Sequence, residues 1–128
     1  MQATGAPCTL TLMGLGAYPA GDAQFLGMLG MHGTLQANLA MHHADLIVCV
    51  GARFDDRITG RLNAFSPNSK KIHIDIDPSS INKNVRVDVP ITGDVGRVLE
   101  DMVRAWRALP KKPEASQTAE WNTSIAKW

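Results

Sequence analysis

Apolar residues recur along the chain in patterns that predict four short β-strands. The unbroken apolar run Leu46–Val50 is typical of a strand buried on both faces. The segment Lys71–Asp77 alternates instead, with an isoleucine at every second position and polar residues between. Shorter strands are predicted at Thr9–Met13 and Val87–Thr92. We expect Phe25–Gly33, where glycines interrupt apolar residues, to be an irregular loop near a short strand.

Between the predicted strands, the sequence contains the signals of helices. Thr34 is placed to cap a helix that runs to about His43, and Ile58–Phe65 is predicted to be a short helix. Asp94 is predicted to cap a longer helix. Apolar residues fall on one face of that helix, at Val95, Leu99, Met102, Val103 and Trp106. Because strands and helices alternate, the sequence predicts an α/β fold with a Rossmann-like parallel sheet and flanking helices.

The last part of the chain differs in character from the rest. The stretch from Pro110 to Thr118 has the composition of a linker, so the domain is predicted to cover residues 1–109. Residues 110–128 are then a linker and the start of a following segment. Trp121, Ile125 and Trp128 have helical spacing, and the sequence offers nothing obvious to bury them.

Composition narrows the class of protein. The chain has 128 residues and a net charge of +1, which suits one modest domain and gives no indication of nucleic-acid or membrane binding. No signal peptide is predicted at the first residues. Cys8 and Cys49 do not form a CxxC pair, so no zinc site is predicted, and Cys49 is expected in the core. We expect a reducing, cytoplasmic setting.

The densest chemical signal directly follows the apolar run Leu46–Val50. The sequence Gly51-Ala52-Arg53-Phe54-Asp55-Asp56-Arg57 places arginines and aspartates at the carboxyl end of a predicted strand, where open α/β sheets bind ligands. Arginine suits phosphates and carboxylates, although a solvated turn with local ion pairs has the same composition. In dinucleotide folds, a carboxylate that binds the ribose follows a glycine turn by roughly 20 residues, and Asp75 follows Gly51 at a similar spacing. Asp75 and Asp94 could equally be turn and cap residues.

Other polar residues give weaker signals. Gly30-Met31-His32-Gly33 offers close backbone approach and two side chains that could flank a flat ring, or it is a tight loop with a core methionine. His42 and His43 are adjacent and cannot form a metal pair on a helix. His73 is expected to make an ordinary hydrogen bond. Neither a GxGxxG motif nor a catalytic triad is recognisable, so no catalytic or metal residue is predicted.

Four segments together resemble the central domain of acetohydroxyacid synthase, the catalytic large subunit of acetolactate synthase. They are Thr11–Pro19 (TLMGLGAYP), Leu29–Gly33 (LGMHG), Gly51–Arg57 (GARFDDR) and His73–Asp77 (HIDID). The resemblance covers about Pro7 to Trp106, and it implies a domain that binds FAD. It also implies a parent enzyme that joins pyruvate to a second 2-ketoacid, pyruvate or 2-ketobutyrate, with decarboxylation, in branched-chain amino-acid synthesis.

The resemblance assigns the cofactor site by position. Residues implied to contact FAD are Thr11, Leu12, Leu29, Gly30, Met31, His32, Gly51, Ala52, Arg53, Phe54, Asp55, Asp75, Ile76, Asp94 and Val95. Asp75 and Ile76 would lie at the adenosine end. Met31, Asp56 and Arg57 match positions that line the substrate channel, where herbicidal inhibitors bind.

The resemblance also implies what lies outside this domain. Thiamine diphosphate and Mg²⁺ would be bound by other domains of the parent, which would be a homodimer or tetramer with a regulatory small subunit. The first strand, glycine-rich turn and helix of the family's domain have no counterpart here, so we expect an inactive fragment with an exposed strand edge that self-associates. The alternatives are an ADP- or NAD-binding module of a related thiamine-diphosphate decarboxylase, a small NAD-dependent dehydrogenase, or a folded piece that binds nothing.

Overall fold

The computed structural model describes residues 3–111 and 115–128, and the side chains of residues 3–111 and 118–128. In chain order the elements are β1 (Cys8–Leu10), β2 (Phe25–Met28), α1 (Leu35–His43), β3 (Leu46–Val50), α2 (Asp56–Thr59), β4 (Lys70–Asp75), β5 (Val89–Thr92), α3 (Val95–Ala108) and α4 (Ala115–Ile125). Short 3-10 turns lie at Leu12–Gly14, Leu62–Ala64 and Pro78–Ser80. The predicted α/β class is confirmed.

The strands pair in parallel and form two sheets. In one, β1 pairs with β2, and in the other β4 lies between β3 and β5. The chain divides into two compact units that correspond to these sheets. The β1–β2 unit comprises residues 1–42 and 113–128, and the β3–β5 unit comprises residues 43–112. The predicted domain boundary after residue 109 stays a prediction.

The core of the β3–β5 unit lies around β4, whose Ile74 and His73 are both 0% exposed. The prediction that Leu46–Val50 is buried on both faces is wrong. Ile47 and Cys49 are buried, but Leu46, Val48 and Val50 are 51%, 42% and 40% exposed. Buried and exposed residues alternate along β3, so one face of the strand is covered and the other is exposed.

The strand predicted at Lys71–Asp77 ends two residues early. The carboxylate of Asp75 accepts a hydrogen bond from the backbone N–H of Asp77 at 2.9 Å, and this local turn ends the strand. Ile76 therefore lies outside β4 and is 68% exposed, although it continues the isoleucine alternation. The polar face of the alternating pattern is covered as well, because Lys71, His73 and Asp75 are all buried.

Several other boundaries moved for local reasons. The predicted strand Thr9–Met13 is shortened to β1 because the Thr11 hydroxyl caps the 3-10 turn that follows, accepting from the N–H of Gly14 at 3.1 Å. The loop predicted at Phe25–Gly33 contains the strand β2. The helix predicted at Ile58–Phe65 is replaced by α2 and a 3-10 turn, since Gly60 ends α2 with a φ of 55°.

Two predicted caps are confirmed. The Thr34 hydroxyl accepts a hydrogen bond from the N–H of Ala37 at 3.1 Å at the start of α1. The Asp94 carboxylate accepts from the N–H of Arg97 at 3.1 Å at the start of α3. The apolar face predicted for α3 carries no fully buried residue.

Helix α4 begins at Ala115, inside the stretch Pro110–Thr118 that was predicted to be a linker, and residues 112–114 lie outside the described part of the chain. The assignment of residues 110–128 to a linker and a following segment stays a prediction. The expectation that the apolar stripe near the carboxyl end is unburied is wrong for Ile125, which is 3% exposed. The Trp121 and Trp128 rings meet edge to face at 5.8 Å. The side-chain amide of Asn122 donates a hydrogen bond to the carbonyl of Gly5 at 3.1 Å, and this bond holds α4 against the start of its unit.

Candidate functional site

The predicted site in the β3–β5 unit is built where its strands end. The N–H of Gly51, just after β3, donates to the carbonyl of Ile74 at 2.8 Å. The N–H of Gly93, just after β5, donates to the carbonyl of Asp75 at 3.0 Å. The loop 51–55, the end of β4 and the start of α3 therefore lie at one sheet edge, as the parallel pairing predicts.

The loop after β3 has an unusual backbone. Gly51 has a φ of 63°, a conformation that suits glycine, and a Cβ atom there would lie 3.9 Å from the side chain of Val95. Phe54 also has a positive φ, 53°, which is strained for a residue with a side chain. The structure keeps this conformation because the Phe54 ring is 6% exposed and packs edge to face with His73 and Phe65 at 5.2 and 5.8 Å.

Sequence reasoning missed Asn84, which fixes the same loop from outside. Its side-chain amide donates to the carbonyls of Arg53 and Phe54 at 3.3 and 3.2 Å. Asn84 lies in a loop without apolar periodicity or a motif, so no local signal identified it. Together, Phe54 and Asn84 hold the main chain that directly follows Arg53.

The charged side chains of the loop point to solvent. Arg53 pairs with Asp55 at 3.0 Å, and the two side chains are 66% and 46% exposed. Such exposed pairs contribute little stability, so the Arg53 guanidinium can exchange this partner for a ligand anion. Asp56 and Arg57 follow in α2, 4.0 Å apart and exposed.

At the end of β4, the Asp75 carboxylate is buried but incompletely bonded. One oxygen accepts the Asp77 N–H, and the other lies 3.9 Å from Nε2 of His73, beyond hydrogen-bonding distance. The expectation that His73 makes an ordinary hydrogen bond is wrong, since within the described residues neither ring nitrogen has a hydrogen-bond partner. Hydrogen bonds from Ser79 lower the pKa of Asp77, so its carboxylate is ionised beside this edge.

Besides the loop after β3 and the end of β4, the candidate site includes the amino terminus of α3. The Asp94 side chain satisfies the N–H of Arg97, while no partner is described in residues 3–111 and 115–128 for the N–H groups of Val95 and Gly96. These donors and the helix dipole favour an anion at this end of the helix.

The remaining predicted residues lie in the β1–β2 unit. Thr11 and Leu12 follow β1, and Leu29, Gly30, Met31 and His32 follow β2, so the parallel pairing places both segments at one edge of that sheet. Asn38 of α1 holds the second segment, accepting from the Gly30 N–H at 2.9 Å and donating to its carbonyl at 3.0 Å. Leu12 and Met31 are exposed. The assignment of these residues to FAD stays a prediction, as does that of Met31, Asp56 and Arg57 to a substrate channel.

Other possible sites carry little chemistry. A shallow, open depression on α4 is lined by Ala119, Glu120, Thr123, Ser124 and Lys127 and contains no predicted residue. Among the described residues, no group of three or more His, Cys, Asp or Glu side chains is close enough to hold a metal ion. A helix long and apolar enough to cross a membrane is also absent from those residues.

Comparison with known proteins identifies the family. The sequence profile described as thiamine pyrophosphate enzyme, central domain, matches residues 1–102. The chain belongs to this family. The β3–β5 edge is therefore an edge of a central domain of this class, and the predicted resemblance at the family level is confirmed.

Individual relatives are more specific. The chain is 53% identical over 122 residues to the acetolactate synthase large subunit of Haemophilus influenzae, covering 95% of this chain and 21% of the relative. It is 47% identical over 128 residues to the isozyme 3 large subunit of Escherichia coli K12, covering 100% of this chain and 22% of the relative. Identity to the acetolactate synthase of Mycobacterium avium is 46% over 127 residues, or 99% of this chain and 19% of the relative. The chain thus spans about a fifth of the length of these relatives.

Proposed function

We propose that the edge formed by loop 51–55, the end of β4 and the start of α3 binds the adenosine and diphosphate part of FAD. The observation that carries this proposal is that the loop with Arg53, the end of β4 with Asp75 and the amino terminus of α3 lie at one sheet edge. This combination supplies a cationic fork, a carboxylate and backbone N–H donors, which are what a dinucleotide requires.

Each group has a distinct proposed role. Arg53 binds a diphosphate oxygen, and Gly51 lets the backbone approach the cofactor closely. The unoccupied oxygen of Asp75 accepts from a ribose hydroxyl, and the N–H groups of Val95 and Gly96 face the anionic part. When bound, FAD would supply a flavin ring that takes no part in the net redox balance of the parent reaction.

We further propose that the chain is part of an acetolactate synthase large subunit acting in branched-chain amino-acid synthesis in the cytoplasm. Its relatives carry that name at 46–53% identity, which does not favour the alternative of an ADP- or NAD-binding module. Thiamine diphosphate and Mg²⁺ would be held by other parts of the protein, within a homodimer or tetramer that includes a regulatory subunit. The 128-residue chain alone should form no acetolactate from pyruvate with thiamine diphosphate and Mg²⁺ present.

Titration of the purified chain with FAD, followed by flavin fluorescence, tests the cofactor proposal. Arg53→Ala removes a charge-assisted contact, so FAD should bind about 10- to 100-fold more weakly. Arg104→Ala is the matched control, because Arg104 also forms an exposed ion pair, with Asp101 at 2.9 Å on α3, but away from the edge. Equal affinity in both variants and the wild type would contradict the proposed role of Arg53. Saturable binding of ADP with no binding of FAD would instead support a nucleotide module.

A further inference from the structure

His73 is a polar side chain enclosed in the middle of the β3–β5 unit. It lies on the central strand β4, and its side chain is 0% exposed. Neither Nδ1 nor Nε2 has a hydrogen-bond partner among the described residues. A buried imidazole loses its hydrogen bonds to water, so a ring that gains none in exchange destabilises the folded chain. This cost calls for a compensating role of the ring.

The other titratable side chains on this face of the sheet are directed elsewhere. Cys49 lies opposite His73 on β3, and its thiol donates to the carbonyl of Ala52 at 3.1 Å. Burial raises the pKa of Cys49 to about 12, so the thiol stays neutral. Lys71 precedes His73 by two residues and therefore shares its face, but its ammonium donates to two carbonyls of the segment 66–69, each at 3.1 Å.

Asp75 is the acidic group that His73 faces. Its Oδ2 lies 3.9 Å from Nε2 of His73, while its Oδ1 accepts from the N–H of Asp77 at 2.9 Å. Within the described part of the chain, His73 is the only basic side chain in ion-pair range of this carboxylate. The side chain of Asp75 is 10% exposed, so a ligand at the sheet edge can reach Asp75 but not the enclosed imidazole. His73 can therefore act on such a ligand only through Asp75.

We propose that His73 is the positioning residue of Asp75, and that ribose binding closes the gap between Nε2 and Oδ2. The imidazole then donates its Nε2–H to Oδ2, which has a second lone pair for the ribose hydroxyl. Hydrogen bonds in binding sites are often long in the free protein and shorten in the complex. Because the buried ring gains its partner only with the ligand, this bond strengthens ribose recognition. The inference rests on the proposed function, in which Asp75 accepts from the ribose.

Phe54 supports the imidazole for this contact. Its ring is 6% exposed and meets the His73 ring edge to face, with centroids 5.2 Å apart and planes at 79°. The backbone of Phe54 belongs to the loop 51–55, which also contains Arg53. The diphosphate and ribose parts of the proposed site therefore share one buried aromatic support.

Calorimetric titration of the full chain with ADP and with its dideoxy analogue tests this role. ADP has the adenosine and diphosphate groups of FAD, and the analogue lacks both ribose hydroxyls. The wild type should bind ADP about 10-fold more tightly than the analogue. His73→Phe keeps an aromatic ring but has no N–H to donate, so this preference should largely disappear. A purely structural role would weaken both nucleotides equally, and a preference unchanged in His73→Phe would overturn the proposal.

Two amide variants provide the matched controls. In His73→Gln, the amide nitrogen is as many bonds from Cβ as Nε2 is, so the preference for ADP should return. In His73→Asn, the amide nitrogen matches Nδ1 instead, so the preference should stay low. Recovery by Asn but not by Gln would assign the donor to the wrong nitrogen and refute the contact with Asp75.

Heteronuclear NMR of the His73 imidazole in the wild type gives a test that requires no folded variant. The proton should reside on Nε2, and its resonance should move downfield when ADP saturates the chain, because the hydrogen bond to Asp75 shortens. A proton on Nδ1, or an Nε2–H resonance unchanged at saturation, would refute the positioning role. Failure of the proposed function has a different signature. The wild type would then bind neither nucleotide, or both equally, and the positioning role would fall with it.

Discussion

The two units of this chain build parallel sheets by different means. In the β3–β5 unit, a central strand with fully buried Ile74 and His73 organises the sheet. In the β1–β2 unit, every strand residue is only half-buried, the register is irregular, and side-chain amides and hydroxyls fasten the loops. The comparison teaches that the β3–β5 sheet depends on hydrophobic burial, whereas the β1–β2 sheet depends on specific polar contacts. Substitutions of core residues and of polar residues should therefore affect the two units differently.

The largest effect should come from the core of the β3–β5 unit. Ile74→Ala creates a cavity under a residue that is 0% exposed and should destabilise the unit by about 2 to 5 kcal/mol. Ile76→Ala is the matched control, because that isoleucine is 68% exposed and its loss should change stability by less than about 0.5 kcal/mol. Denaturant unfolding measures both, and equal losses would show that β4 does not organise a core.

In the β1–β2 unit, a polar substitution should have the next largest effect. Asn38 bonds to both backbone groups of Gly30 and donates to the carbonyl of Thr34 at 3.0 Å. Asn38→Ala should therefore cost about 1 to 3 kcal/mol, and Gln36→Ala on the same helix should cost little. Hydrogen exchange should accelerate in β2 and the following loop while β3–β5 is unaffected. Unchanged hydrogen exchange in β2 of the Asn38→Ala variant would show that the hydrogen bonds of Asn38 do not stabilise this unit.

A smaller effect is expected at the start of α3. Asp94→Ala removes the helix cap and should destabilise the β3–β5 unit by about 0.5 to 2 kcal/mol. Asp94→Asn keeps a capping oxygen and should recover most of that loss. Thermal unfolding distinguishes the two variants. If Asn were as harmful as Ala, the negative charge rather than the cap would be the important property.

The smallest effect concerns pH. Hydrogen bonds from Lys70 and from the Lys71 backbone hold the pKa of Asp88 below its ordinary value. A carboxyl with a lowered pKa in the folded state stabilises it above the unfolded pKa, and this contribution is lost as the pH falls through the folded pKa. Asp88→Asn should therefore flatten the acid-side decline of the melting temperature, and Asp101→Asn should not. A steeper acid-side decline of the melting temperature in Asp88→Asn than in the wild type would contradict this prediction.

Much of the fold followed from the sequence because the signals are local. The run Leu46–Val50 defined β3, and the caps Thr34 and Asp94 located two helix starts. The burial of individual side chains could not be predicted from these local signals. Whether Val48 is covered depends on which other elements pack against β3, and the sequence of β3 itself does not specify them. The helical spacing of Trp121 and Ile125 indicated the later part of α4, whereas its first residues, Ala115–Thr118, have the composition of a linker.

The candidate site was predicted where it consists of consecutive residues and missed where it depends on packing. Arg53, Asp75 and Asp94 could be placed at one edge from strand order alone. Asn84 and the burial of Phe54 against His73 could not, since both are contacts between segments far apart in sequence.

Amide chemical-shift mapping by NMR, with FAD added to the labelled 128-residue chain, tests the central claim most directly. The account predicts that the largest shifts fall on Gly51, Asp75, Val95 and Gly96, at the carboxyl edge of the β3–β5 sheet. Saturable FAD binding with its largest shifts on α4, and none at this edge, would contradict it.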